Sequence, residues 1–448
     1  MSLNNFFKPA PHIEPLPSAE ARRRYPALRW AALEATFIGY SSFYLVRLNL
    51  GNSAKSLETA FGIDNSMMGN LLAFTGIAYG LGKFLLGSVS DRSNVRRFMP
   101  FGLLLTALCN FAFAGVGSVG LPRETVFHLF TFIWSLNWFV QGMGWPPCGR
   151  TIGHWFSISE RGLVFSVWNI SHNIGGGLAG FLAGWAISSF GAWQYAFVLP
   201  GIMALIIALY LSLRLRDTPQ SVGLPPIEEY RQDFPQGGEQ SHEIELGTYD
   251  LFIKYVLTNR YLWLFAAANF FVYILRYSML DWGPKFLADV KQADLHTGGF
   301  AQLVLEFSGI PSTILMGWLS DRVGGRRGMV SLFCILPILA AFLGLRANID
   351  GPISIDYLLL GLIGFFVYPP VMLLGVAALD VSSKKAVGVA AGFVGLFGYL
   401  GKSAQGKLLG WMSIQPELGW DAVMLTVVLA GILAIALLAL TWRIKPRG

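Results

Sequence analysis

The sequence predicts an all-α membrane protein of twelve transmembrane helices arranged as two six-helix halves, with both termini cytoplasmic. Three observations carry that expectation: scarce charge, evenly spaced apolar windows and one-sided basic residues. Of 448 residues, 54% are hydrophobic and only 13% charged, against roughly 25% charged in an ordinary globular chain. Three soluble domains of about 150 residues each could not be covered by so little charge. A bilayer-spanning helix needs about 20 apolar residues. Apolar windows of that size run at about 31–50, 66–89, 98–117, 125–146, 162–187, 193–213, 261–283, 298–319, 328–346, 354–376, 386–411 and 420–442. With the N-terminus placed inside, 23 of the 33 Lys and Arg fall on the cytoplasmic side, and only Lys55, Arg123, Lys285, Lys291 and Arg346 fall in external loops. Such a bias fixes orientation. The net charge of +7 is therefore a topology signal, and no nucleic-acid partner is expected; the lipid bilayer is.

Taken from the N-terminus, the chain opens on Lys8 and a run of prolines, with no apolar core and small-residue cleavage site, so no cleaved signal peptide is expected. Gly175-Gly176-Gly177 suits a membrane helix, because small residues let backbones approach. The one long polar interruption, rich in Pro and Gly, reads as a cytoplasmic linker over 214–258, leaving a first half at 1–213 and a second at 259–448. The halves share a repeat. Gly87-Ser-Val-Ser-Asp91-Arg92 near the end of the second window returns as Gly317-Trp-Leu-Ser-Asp321-Arg322 near the end of the eighth, each followed by an Arg-Arg pair. Asp91, Arg92, Asp321 and Arg322 are expected to pair across the halves when the cytoplasmic side is shut; anchoring by positive charge would explain the arginines but not the repeated aspartate. Cys109, Cys148 and Cys334 lie inside apolar windows without metal-like spacing, so neither disulfide, metal site nor cofactor is expected.

An ionisable side chain at membrane depth costs about 2.5–3.5 kcal/mol on insertion scales, so each needs a reason. Arg47, Lys83, Arg276, Lys402, Lys407 and His172 are in that position. Arg47 and Arg276 sit in the first helices of the two halves at nearly the repeat spacing, so a pseudo-two-fold axis brings them to equivalent depths around one cavity. Two guanidiniums without two carboxylates of their own call for a mobile anion, and their planar forks match phosphate. His172 offers a third donor, or else is a packing histidine. Tyr40 and Tyr44 precede Arg47 on its own face, Tyr79 precedes Lys83 by one turn and Tyr273 precedes Arg276 likewise; each either lines the cavity or simply packs. Asp281 is better placed for a lysine than for Arg276, as a gate pair. Glu306, mid-window, is either a gating group or a hydrogen-bonded interhelical glutamate.

At these residues the chain resembles the organophosphate:phosphate antiporter family of the major facilitator superfamily, its glycerol-3-phosphate branch most. The stretches that carry the resemblance are Phe43-Tyr-Leu-Val-Arg47, Ala78-Tyr-Gly-Leu-Gly-Lys83, Gln141-Gly-Met-Gly-Trp-Pro-Pro-Cys-Gly-Arg150, Trp168-Asn-Ile-Ser-His172, Asp217-Thr-Pro-Gln-Ser-Val-Gly-Leu-Pro-Pro and Leu275-Arg276-Tyr-Ser-Met-Leu-Asp281-Trp. The resemblance implies a multi-pass protein of the bacterial inner membrane, a monomer, in which Arg47 and Arg276 grip phosphate with His172 in support and Lys83 close by. It also implies cavity-lining Tyr40, Tyr44, Tyr79, Tyr368 and Tyr399, and exchange of a phosphate monoester, glycerol-3-phosphate first, for inorganic phosphate by alternating access. A hexose-phosphate antiporter and a sugar-phosphate sensor acting through a partner kinase are the alternatives within the family. Two departures stand out: Leu48 replaces a basic residue usual in the family, and Lys402 appears where the glycerol-3-phosphate branch has a small one. Lys402 is expected either to stand in for that lysine, paired with Asp281, or to bind a second anionic group of a larger substrate.

Enzymatic readings fail on the residues. Gly398-Tyr-Leu-Gly-Lys402-Ser lacks the leading Gly of a P-loop, since residue 396 is Leu, and His242-Glu243 lacks the second histidine of a zinc hydrolase. No nucleophile and base flank the arginines.

Overall fold

The computed structural model describes residues 6–90, 92–233, 256–382 and 387–444, and among these it is helical without strands. The first half comprises α1 (Ser18–Leu45), α2 (Asn49–Phe61), α3 (Asn65–Ser90), α4 (Val95–Val116), α5 (Arg123–Val140), α6 (Trp145–Trp155), α7 (Ile158–Phe190) and α8 (Tyr195–Arg214). The second comprises α9 (Arg260–Lys291), α10 (Leu295–Arg322), α11 (Arg327–Ala347), α12 (Ile353–Asp380), α13 (Val387–Ser413) and α14 (Gly419–Ala439). Eight of them, α3, α4, α8 to α12 and α14, are long and apolar enough to cross a membrane.

Two of the expected windows are not single helices. The window at 31–50 is divided between α1 and α2 by Val46-Arg47-Leu48, where the chain leaves helical geometry near ψ 15° at Val46 and ψ 3° at Leu48. The window at 125–146 is divided by a short 3-10 turn, Gln141–Met143, before Pro146 and Pro147 open α6, positions where a missing N–H costs a helix nothing. Helices also run past their windows, so Lys55 lies in α2, and Lys285 and Lys291 lie in the last turns of α9 and not in an external loop. At the start of α7, Ser157 and Glu160 form a capping box that satisfies orphan N–H groups. Burial alone would raise the Glu160 carboxyl, but Arg29, the Ser157 N–H and Arg231 together hold it below the usual carboxylate range.

The halves meet along two seams, α3 against α13 and α7 against α10. Both rely on glycine. A Cβ on Gly69 would lie 2.4 Å from the Gly406 carbonyl oxygen, and one on Gly184 2.4 Å from that of Leu295. Gly69→Leu is therefore expected to force the halves apart and sharply lower the yield of monodisperse protein, while Gly80→Leu, which meets only the Leu396 side chain at 3.5 Å, is tolerated. Equal behaviour of the two variants in size-exclusion chromatography would refute the seam.

Ion pairs are distributed unequally between the two ends. At the end holding α2 and the last turns of α9, Lys285 reaches Glu58 at 2.9 Å and Asp289 at 2.5 Å, and Lys55 reaches Asp289 at 3.4 Å, so charge crosses between halves. At the other end the ion pairs among the described residues stay within a half: Arg29 with Glu160, Arg150 with Asp217, and Arg327 with Asp321 and Asp380. The opening of the polar interruption is folded there. Buried Asp217 accepts the N–H groups of Ala10 and Val95 at 2.9 and 3.1 Å, tying the N-terminal segment and α4 together.

Candidate functional site

The structure places Arg47 in the gap between α1 and α2, 3% exposed, with its guanidinium carbon 3.8 Å from the Tyr44 ring centroid, 4.9 Å from Trp138 and 5.2 Å from Tyr79. Arg276 lies inside unbroken α9, 5% exposed, 4.9 Å from the Tyr368 ring and 5.2 Å from Tyr277. Ring faces attract cations without neutralising them. Neither arginine has a carboxylate within 4.0 Å among the described residues, and Nε of Arg47 with Nε and Nη2 of Arg276 are buried without hydrogen-bond partners. Buried donors left unmade are costly, so these N–H groups remain able to bond an acceptor that reaches them.

Aromatic rings join the two arginines. The His172 ring lies between Tyr44 and Tyr368, at 5.6 and 5.5 Å. Tyr40 meets Tyr44 edge-on at 5.4 Å and stacks on Trp168, while Tyr399 bridges Tyr79 at 4.6 Å and Tyr273 at 5.3 Å. His172 Nδ1 hydrogen-bonds the Asn169 carbonyl, and a carbonyl only accepts, so Nδ1 carries the proton. In the neutral ring Nε2 is then an acceptor, and His172 donates a second hydrogen bond only when protonated.

Lys402 is wholly buried. Its ammonium donates to Thr75 Oγ1 at 2.8 Å, stands 3.5 Å from Asp281 Oδ2 and lies 4.2 Å from the Trp138 ring. Gln405 donates to the same carboxylate oxygen at 2.8 Å. Trp138 is thus shared by Arg47 and Lys402, and Leu48, where a basic residue was expected from the family pattern, is packed in the core. Glu306, also fully buried, accepts from Asn173 Nδ2 at 3.1 Å across the α7–α10 seam.

Other expected residues stand apart. Lys83 is half-buried and lies 5.5 Å from the Trp145 ring. Lys407 is exposed on α13, so its charge does not point into the interior. Arg92 is exposed, Arg322 covers Trp318 at 4.2 Å, and Asp321 pairs with Arg327 of its own half at 2.5 Å; Asp91 lies outside the described residues.

Several contributors were not singled out from the sequence: Trp138, Tyr277, Thr75, Gln405 and the buried asparagines Asn49, Asn110, Asn137 and Asn173. For the asparagines a signal existed, because an amide at membrane depth needs a partner as a charge does. The carbonyl of Val46, freed by the break before Arg47, accepts from Asn110 Nδ2 and Asn137 Nδ2, both at 3.0 Å.

Comparison with known proteins shows the family. Residues 36–406 match the Major Facilitator Superfamily. The chain is 42% identical to a glycerol-3-phosphate transporter of Bacillus subtilis (strain 168), covering 99% of each, and 37% identical to a probable hexose phosphate transport protein of Chlamydia pneumoniae, covering 99% of this chain and 98% of that one. Among solved structures, a bacterial homologue of the human lysosomal transporter Spinster, inward-facing and unoccupied, superposes with a TM-score of 0.71 at 16% identity, over 93% of this chain and 97% of that one. The chain is therefore a transporter and not an enzyme, and it belongs to the organophosphate:phosphate antiporter family of the major facilitator superfamily.

Proposed function

We propose that the protein exchanges a small phosphate monoester for inorganic phosphate across a bacterial inner membrane, by alternating access around Arg47 and Arg276. The observation that carries this reading is the pair of buried guanidiniums, one from each half, with unpaired N–H donors and no carboxylate within 4.0 Å among the described residues. A phosphate bound between them draws the halves together. The empty site holds two facing cations and closes less readily, which enforces exchange over leak.

In this reading the broken pairs α1–α2 and α5–α6 each make one crossing, giving twelve passes in a monomer, with both termini and the 214–258 linker in the cytoplasm. The cross-half ion pairs of Lys285 and Lys55 then seal the external face. Glycerol-3-phosphate is the first substrate expected, as for the Bacillus relative; Lys402 beside Trp138 favours a hexose phosphate as the second reading.

The test is uptake of labelled phosphate into proteoliposomes, competed with glycerol-3-phosphate, glucose-6-phosphate and phosphoglycerate. Uptake is expected only when phosphate is loaded inside, with glycerol-3-phosphate the strongest competitor. Equal uptake into phosphate-free vesicles would refute exchange, and the absence of competition by any monoester would refute the substrate class.

A further inference from the structure

We infer that Asn110 and Asn137 are positioning residues for phosphate binding: they hold open the helix break that aims Arg47, without touching the substrate themselves. The inference rests on the arginine-pair reading above.

The break is a backbone event. Arg47 directs its N–H to the Tyr44 carbonyl three residues back, a carbonyl it shares with the Leu48 N–H at 3.1 Å each, so the ladder tightens there, and the Val46 carbonyl falls in the non-helical stretch between α1 and α2. In a membrane interior an unpaired carbonyl costs several kcal/mol, so irregular backbone persists there only where protein groups satisfy it. Two side-chain amides do so, Asn110 from α4 and Asn137 from α5, both 0% exposed. Asn110 is held in turn: its amide also donates to the Thr106 carbonyl at 2.9 Å, and its oxygen accepts from Asn49 Nδ2 at 2.9 Å, which also donates to the Ala196 carbonyl. Three helices and the first residue of α2 converge on the peptide preceding Arg47.

The second half supplies an internal comparison. Arg276, the repeat counterpart, lies within an unbroken 32-residue helix. The helices equivalent to α4 and α5 are α11 and the first part of α12, and neither α11 nor α12 contains any Asn or Gln. Where the amides are missing, the helix is continuous. The break thus lets Arg47 leave the regular helical direction and lie against Tyr44, Tyr79 and Trp138, whereas Arg276 projects from a rigid rod. Asn137 is moreover the neighbour of Trp138, so the residue that fixes the backbone also fixes the ring beside the guanidinium.

The experiment measures half-saturation by phosphate in proteoliposome exchange, together with the melting temperature of the purified protein with and without phosphate. Asn137→Leu and Asn110→Leu are expected to raise half-saturation at least tenfold and to shrink the phosphate-induced rise in melting temperature. Asn269→Leu, which removes an equally buried amide that donates to the Val394 carbonyl at 2.8 Å, is expected to lower the ligand-free melting temperature while leaving half-saturation within twofold. Asn137→Asp, equal in size but presenting an acceptor to the Val46 carbonyl, carries the test if the leucine variants do not accumulate. Wild-type half-saturation in the Asn137 and Asn110 variants overturns the inference, as does an equal rise in Asn269→Leu. Wild-type exchange by Arg47→Lys in the same assay would instead overturn the arginine-pair reading, so the two failures are distinguishable.

Discussion

Arg47→Lys is expected to reduce phosphate exchange in proteoliposomes at least 100-fold, about 2.8 kcal/mol at about 1.4 kcal/mol per tenfold. Lysine keeps the positive charge, so the buried electrostatics of the empty site change little. What it loses is the planar fork that donates two parallel hydrogen bonds to one phosphate. Nε of Arg47 has no hydrogen-bond partner among the described residues, and the rings of Tyr44, Tyr79 and Trp138 surround the guanidinium with no carboxylate within 4.0 Å among those residues. Arg276→Lys is expected to behave alike, since Nε and Nη2 of Arg276 are equally unpaired. Both variants are expected to melt within a few degrees of the wild type. Exchange above a tenth of the wild-type rate in either would show that bidentate grip is not what the site uses.

Asp281→Asn is expected to destabilise the protein by about 3–5 kcal/mol, the cost of leaving one partner of a buried ion pair alone. Lys402 has no exposed surface, and apart from Asp281 its ammonium meets, among the described residues, the Thr75 hydroxyl and the rings of Trp138 and Tyr277. Removing both charges, in Asp281→Asn combined with Lys402→Met, is expected to recover most of the loss, because a buried pair contributes little net stability over apolar groups of similar volume. A double variant that melts no higher than Asp281→Asn alone would show that these charges do not compensate each other. Transport then separates the two roles of Lys402. A structural lysine leaves competition by glycerol-3-phosphate and glucose-6-phosphate unchanged in the double variant, while a lysine that binds a second group loses the larger substrate selectively. Unchanged uptake and preference in Lys402→Ala would remove it from both roles.

The legible part of the site consists of residues whose chemistry is out of place in an apolar window. Arg47, Arg276, His172, Lys402 and Glu306 announce themselves because a charge or imidazole at membrane depth is expensive, and the repeat pairs the two arginines before any coordinates exist. Trp138 and Tyr277 could not be found that way, since an aromatic residue among 34 Phe, 14 Trp and 15 Tyr carries no such signal. Membership of an apolar window does not say which way a side chain faces: Lys83 lies by Trp145, and Lys407 is exposed on α13.

The sequence by itself determined the class and singled out Arg47 and Arg276 as the pair to which anion binding is proposed, because hydropathy, basic-residue bias and the cost of buried charge act residue by residue. Only the tertiary structure decided how the pair is presented. Whether a membrane helix breaks at Arg47 or runs straight through Arg276 depends on which neighbours can satisfy the freed carbonyl, and those neighbours, Asn110 and Asn137, lie 64 and 91 residues away from Val46 in the chain. Hydrogen-bond satisfaction in an apolar medium is a property of packed neighbours, so the two arginines that the repeat makes equivalent become inequivalent once the helices assemble.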